Sequence, residues 1–121
     1  MPTQSNALLK QRLSQANEIT ITVTGRKSGR SISNPVWFVL DGEKLYLLPV
    51  TGSDSQWYKN ALKNPAIRIK AGSMESDFDA VPINDPKQVS AVVEKFREKY
   101  GAKDVKKYYS KFEVAVLAQL R

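Results

Sequence analysis

Two amino acids are missing from this 121-residue chain: cysteine and histidine. Without cysteine there is no disulfide and no thiol nucleophile. Without histidine the commonest general base and metal ligand is gone. A Ser-His-Asp triad is therefore impossible, and zinc chemistry lacks its usual ligand set. No apolar run approaches the ~18 residues that a membrane-spanning helix needs. The first ten residues, Met1 to Lys10, carry no apolar block of the signal-peptide kind, which makes the cytoplasm the expected compartment. Internal repeats and low-complexity arms are also lacking.

What is present suits a globular fold. Hydrophobic residues make up 41% of the chain, too many for disorder. The length fits one domain, residues 1–121, around one core. The net charge is +7, from 19 basic and 12 acidic residues. Such an excess favours an anionic partner: nucleic acid, a membrane surface or a phosphorylated small molecule.

Strict alternation over Glu18 to Thr24 predicts a half-buried strand, and Ser31 to Leu40 is also extended in character. Between them lies Gly25-Arg26-Lys27-Ser28-Gly29-Arg30, a glycine-bounded turn with three cations. Gly25 and Gly29 can both adopt positive φ, which lets successive backbone N–H groups converge on an anion. Arg26, Lys27 and Arg30 add charge around those donors. The turn is a candidate phosphate cradle; the other reading is a hairpin tip kept basic for solvation.

Further along, Asn6 to Gln15 reads as a helix with Leu8, Leu9 and Leu13 on one face. The second strand places Ile32, Asn34, Val36, Phe38 and Leu40 on one face, with Ser33, Pro35, Trp37 and Val39 on the other. Pro35 puts it at a sheet edge or at a bulge. Asp41-Gly42 is a tight turn into a strand at Lys44 to Leu48. Ser55 is a candidate N-cap for a helix from Gln56 to Lys63, stopped by Asn64-Pro65. Trp57, Ala61 and Leu62 form its expected apolar stripe. Strands follow at Ala66 to Ala71 and Met74 to Pro82. Asp85-Pro86 starts a helix that ends at Gly101. A short helix at Lys103 to Tyr109 and a last strand from Phe112 to Leu120 complete the chain. Six strands with few helices predict an α+β fold, a six-stranded antiparallel split β-barrel with flanking helices.

Thr22 to Arg30, Asn34-Pro35-Val36-Trp37-Phe38, Asp41-Gly42, Trp57-Tyr58-Lys59-Asn60 and Asn64-Pro65 together resemble the deazaflavin-dependent nitroreductase family. These are split-barrel oxidoreductases that use coenzyme F-420. The likeness covers Ile19 to Ala71 well and the remainder in outline. It implies hydride transfer from reduced deazaflavin to a quinone, nitro or enone-type acceptor. Carried over, Arg26, Lys27, Ser28 and Arg30 would hold the cofactor phosphate. Asn34, Pro35, Trp37, Trp57 and Tyr58 would line the ring pocket. Tyr108 and Tyr109 would contact the substrate. FMN is the alternative cofactor, and a homodimer is expected. No catalytic residue and no metal ligand is assigned.

That kit is chemically sufficient, because a cofactor supplies the redox chemistry that a chain without His and Cys lacks. One departure concerns the loop after the third strand. It reads Pro49-Val50-Thr51-Gly52-Ser53-Asp54, where family members carry Ser-Lys-Gly-Gly with a phosphate-binding lysine. The bland reading of Trp37 and Trp57 is core packing, and that of Tyr108-Tyr109 is capping the last strand. Two other functions remain open: a non-catalytic small-ligand carrier, and a single-stranded nucleic-acid module of the basic-barrel kind. The second is disfavoured because aromatics and cations do not interleave along one strand pair.

Overall fold

The computed structural model describes residues 11–42 and 44–120, the last by its backbone only. Residues 11–15 are helical (α1) and bury Leu13; Leu8 and Leu9 of the expected helix lie outside the described residues. Seven strands follow: β1 (Ile19–Thr24), β2 (Ser31–Val36), β3 (Phe38–Asp41), β4 (Lys44–Leu47), β5 (Ala66–Ala71), β6 (Met74–Ile83) and β7 (Ala115–Leu120). A 3-10 turn at Gly52–Asp54 and α2 (Gln56–Lys63) separate β4 from β5. The helices α3 (Pro86–Tyr100) and α4 (Ala102–Tyr108) separate β6 from β7. No helix among the described residues is long and apolar enough to cross a membrane.

All seven strands form one antiparallel sheet in the order β2-β1-β5-β6-β7-β4-β3. The two outermost strands, β2 and β3, are consecutive in sequence and separated only by Trp37. Three residues of extended chain span about 10 Å, so both sheet edges must meet at that point. The sheet is therefore curled into a half-barrel, with Trp37 as the link between its edges.

This corrects the expected count of six strands. The predicted second strand, Ser31 to Leu40, is two strands that pair with different partners. Thr20 faces Pro35 on the β1 side, while Val39 faces Tyr46 on the β4 side. Alternation cannot reveal such a switch, because both halves are extended. Pro35 lies on the edge strand, where its missing N–H costs no ladder bond. Pro82 is tolerated for a related reason. It pairs with Val116 of β7 but lies beyond the last β5 partner, Asp79.

Burial follows the pleat where the sheet is covered. β1 alternates buried and half-buried residues, and β5 alternates exposed and buried ones. Ile21, Phe38, Leu47 and Ile69 form the centre of the barrel core, closed by Trp57, Tyr58 and Ala61 of α2. A second core lies on the other side of β3 and β7. There Val89, Val92, Val93 and Phe96 of α3 and Val105 of α4 pack on Val39, Leu48 and Ala115. Phe38 and Val39 are consecutive and both buried, because β3 is covered on both faces.

Two expected core positions are exposed. Ile32 is 39% exposed because β2 is an edge strand with no further strand beyond it among the described residues, and Leu62 is 48% exposed because α2 buries Asn60 instead. The α3 start is as expected: the Asp85 carboxylate accepts the Gln88 N–H at 3.1 Å, with Pro86 at the first helical position. The last strand begins at Ala115, later than expected. Residues 110–113 first cross to the loop after β4, where the Ser110 N–H donates to the Val50 carbonyl at 2.9 Å.

Candidate functional site

A cleft of about 520 Å³ opens beside the Trp37 link. Asn34, Pro35, Val36 and Trp37 line one side, and Val50, Ser55, Gln56 and Trp57 line another. Tyr108 and Tyr109, with Glu18 and Leu48, complete the lining. Because β2 is an edge strand, its outer backbone groups have no strand partner and can serve a ligand.

The aromatic wall is braced from behind. Trp37 stacks on Tyr100 with centroids 4.1 Å apart and planes 8° apart. Tyr108 meets Trp37 edge-on at 5.6 Å, and Tyr109 lies at 6.0 Å. Phe96 in turn contacts both Tyr100 and Tyr109. The Tyr100 hydroxyl accepts the Phe38 N–H at 3.1 Å and lies 2.8 Å from the Asn17 carbonyl and 3.0 Å from that of Phe38. It has one proton to donate, to either carbonyl. Burial pushes the Tyr100 phenol up to about 12, partly offset by the Phe38 backbone, and pushes Tyr109 up further. Both are neutral phenols at physiological pH.

Lys99 sits at the same joint. Its ammonium donates to the Phe38 carbonyl at 3.0 Å and lies 3.5 Å from the centre of the Phe38 ring. The side chain is exposed along much of its length, yet desolvation of its head lowers its pKa from 10.5 to about 8. A lysine with a depressed folded pKa opposes folding below about pH 8, and the penalty lifts as pH rises toward 10.5. The wild type should therefore gain stability relative to Lys99→Gln between those values. Urea midpoints of the two proteins across that range check it, and a constant difference contradicts it.

The basic turn is built differently from the expected cradle. Gly29 has φ +70°, but Gly25 does not adopt positive φ. A Cβ on Gly25 would stand 2.6 Å from the Ser28 Oγ, so a side chain there would turn that hydroxyl away. The N–H of Gly25 donates to the Arg30 carbonyl, that of Gly29 to the Gly25 carbonyl, and that of Arg30 to the Ser28 Oγ. Arg26 turns inward. Its backbone N–H and its Nη1 both donate to the Asn60 Oδ1, at 3.1 and 2.7 Å. Its Nη2 donates to the Gln56 Oε1 at 2.9 Å. The guanidinium thus spends two of its five donors on α2. Lys27, Ser28 and Arg30 remain exposed.

Ser55 caps α2 without a side-chain capping bond, and its buried hydroxyl lines the cleft. The loop before it is held by the segment after α4. The Glu113 carboxylate accepts the Ser53 N–H at 3.0 Å and the Ser53 hydroxyl at 2.6 Å. Lys111 pairs with Asp54, and this bond holds the Asp54 carboxyl below its usual range. A Cβ on Gly52 would collide with Glu113 and Lys111, so this clasp requires glycine there. The loop lacks the family lysine, and Lys111 reaches its Asp54 from elsewhere in the chain.

Of the residues expected at the site, Asn34, Pro35, Trp37, Trp57, Tyr108 and Tyr109 line the cleft together. Arg26 touches the lining through Gln56. Tyr58 is only 5% exposed and packs in the barrel core, where desolvation, then Glu113, raises its pKa. Sequence reasoning misses Glu18, Ser55 and Gln56 as parts of the site. Gln56 reads only as the start of a helix, whereas Tyr100 stands with Tyr108 and Tyr109 as a candidate for the tyrosines that close the pocket.

Comparison with known proteins places the chain. A family model described as "Uncharacterized protein conserved in bacteria (DUF2255)" matches residues 10–117. The chain belongs to the DUF2255 family. The deazaflavin resemblance is supported at the level of fold, since F420 reductases are among the structural neighbours, together with a heme storage protein. A conserved hypothetical protein, Rv2991, from Mycobacterium tuberculosis superposes with a TM-score of 0.76 at 18% identity, over 95% of this chain and 79% of that one. An F420-H2 dependent reductase (FDR-A) gives 0.66 at 19% identity, over 85% and 94%. HutZ, the heme storage protein from Vibrio cholerae, gives 0.71 at 14% identity, over 95% and 89%. At these identities the likeness is one of fold.

Proposed function

We propose that this DUF2255 protein binds a flat, phosphorylated redox cofactor of the deazaflavin (coenzyme F-420) type in the aromatic cleft. The bound cofactor would supply a hydride for a quinone, nitro or enone-type acceptor. The observation that carries the reading is the convergence of Trp37, Trp57, Tyr108 and Tyr109 on one cleft whose rim residue Gln56 is held by Arg26 of the basic turn.

The residues fit such a group. The edge backbone of Asn34 to Val36 offers donors and acceptors to the polar edge of a ring. The aromatic side chains offer flat apolar area. The phosphate would lie between the turn and the start of α2. There Lys27, Arg30 and the unused donors of Arg26 supply charge, and Ser28 and the Ser55 hydroxyl supply short-range bonds. The helix N-terminus adds its backbone N–H groups. Tyr58 would act indirectly, by seating Trp57, whose ring it meets edge-on at 6.5 Å. Tyr108, at the exposed side, would meet the acceptor, with Tyr109 behind it.

FMN is the second reading, because the same cleft and turn suit its ring and phosphate. A haem reading gains less. The chain has neither His nor Cys, two of the usual axial ligands. A nucleic-acid surface is also disfavoured, since the aromatics are gathered in a cleft whose described lining residues include no Lys or Arg. We also propose a homodimer, in line with the uncovered β2 edge beside the cleft; light scattering giving a monomer at working concentration would refute it. The cofactor reading is tested by calorimetric titration with reduced deazaflavin and with FMN. Saturable binding of either at one site per chain supports it. Consumption of reduced deazaflavin on adding a quinone supports the transfer. Absence of binding to both overturns it.

A further inference from the structure

The charge of the cleft is opposite to that of the protein. The chain carries +7, yet among the described residues that line the cleft the only charged one is Glu18. Its neighbours there are Trp37, Trp57, Tyr108 and Tyr109. Glu18 follows Asn17, whose carbonyl lies 2.8 Å from the Tyr100 hydroxyl, and Tyr100 stacks on Trp37. Besides burial, the Glu18 carboxylate helps raise the pKa of the Tyr100 phenol, so it acts on the aromatic stack at electrostatic range. Glu18 is exposed, and among the described residues no cation pairs with it. The charged groups that touch these rings are Lys99, 5.1 Å from the Tyr100 centroid, and Lys107, 5.3 Å from that of Tyr108.

We propose that Glu18 and the surrounding rings form a subsite for a ligand with an aromatic body and a positively charged nitrogen, protonated or quaternary. Aromatic faces attract cations through their quadrupoles, and a carboxylate adds direct attraction. Lys107 already lies over Tyr108, so a ligand cation would meet the rings of Trp37, Trp57 or Tyr109 rather than that face of Tyr108. An anionic or phosphorylated group is disfavoured at this end of the cleft by the same carboxylate. The subsite would receive the second ligand, the acceptor, while the phosphate end of a cofactor lies toward the basic turn. The inference rests on the cleft being a ligand site and is independent of which cofactor enters it.

The test uses the full chain, with N-methylquinolinium as the cationic probe and quinoline, uncharged at pH 7.5, as its neutral counterpart. Binding is read by equilibrium dialysis at physiological salt. The cation should bind about tenfold more tightly or better, as a cation–π contact combined with a carboxylate predicts. A protein of charge +7 repels cations in general, so this preference cannot arise from unspecific attraction. Glu18→Gln should remove most of the preference while leaving quinoline binding and thermal stability unchanged. Equal affinities in the wild type, or a preference unaltered in Glu18→Gln, would overturn the subsite. Failure here with successful FMN or deazaflavin titration leaves the cofactor reading standing. A cation preference in a protein that binds neither cofactor removes the cofactor reading alone.

Discussion

Trp37→Ala should lower stability by about 2–4 kcal/mol, below the usual cost of truncating a fully buried aromatic because Trp37 is half-buried. Trp37 is the single residue between the two edge strands, and its ring is stacked on Tyr100 and flanked by Tyr108 and Tyr109. Removing it deprives both the half-barrel seam and the cleft wall of their shared side chain. Trp37→Phe keeps a ring at the seam and should retain most of the stability while losing part of the ligand affinity. Denaturant unfolding of the two variants measures the first effect, and titration measures the second. A loss of under 1 kcal/mol for Trp37→Ala would show that the seam is held by strand pairing alone.

Arg26→Ala should differ in kind from Lys27→Ala. The Arg26 guanidinium donates to Asn60, which is 4% exposed, and to Gln56. Its removal deprives a buried amide oxygen of its charged donor, although the Arg26 backbone N–H remains within reach. A loss of about 1–3 kcal/mol is expected, as for other buried groups deprived of a charged partner. Asn60→Ala should cost a similar amount, and the double variant less than the sum, because both remove one interaction. Lys27 is exposed, so Lys27→Ala should leave stability within about 0.5 kcal/mol of wild type. It should weaken a phosphorylated ligand by about tenfold, since one charge-assisted contact is worth that much. Arg26→Ala should reduce both stability and affinity. Equal stability of the two variants would show that the Arg26 contacts to α2 contribute nothing to the fold.

Much of this was legible in the chain itself. Alternation locates β1, β5 and most of β7, and Asp85-Pro86 and Asn64-Pro65 locate helix boundaries, because these signals are local. Trp37 and Trp57 were assigned to a pocket from a resemblance, and the cleft brings them together. In sequence the turn at 25–30 is a candidate cradle or a solvated hairpin tip, but its Arg26 is held by Asn60, 34 residues away. Periodicity carries no information about such a contact. The same holds for the switch of strand partners at Trp37, which depends on the order of the whole sheet. Glu18 was passed over because a single carboxylate before a strand has no signature in sequence. Only the folded arrangement shows that it is alone among aromatic side chains.

The chain contains two tryptophans, and both line the cleft. Their indole N–H groups therefore give two resolved signals in a nitrogen–proton correlation spectrum, each reporting on the site. Titration with FMN, or with reduced deazaflavin under anaerobic conditions, should move both signals along one saturation curve, while signals of α3 residues facing away from the cleft stay in place. Binding that leaves both indole signals unmoved would contradict the assignment of the aromatic cleft as the ligand site.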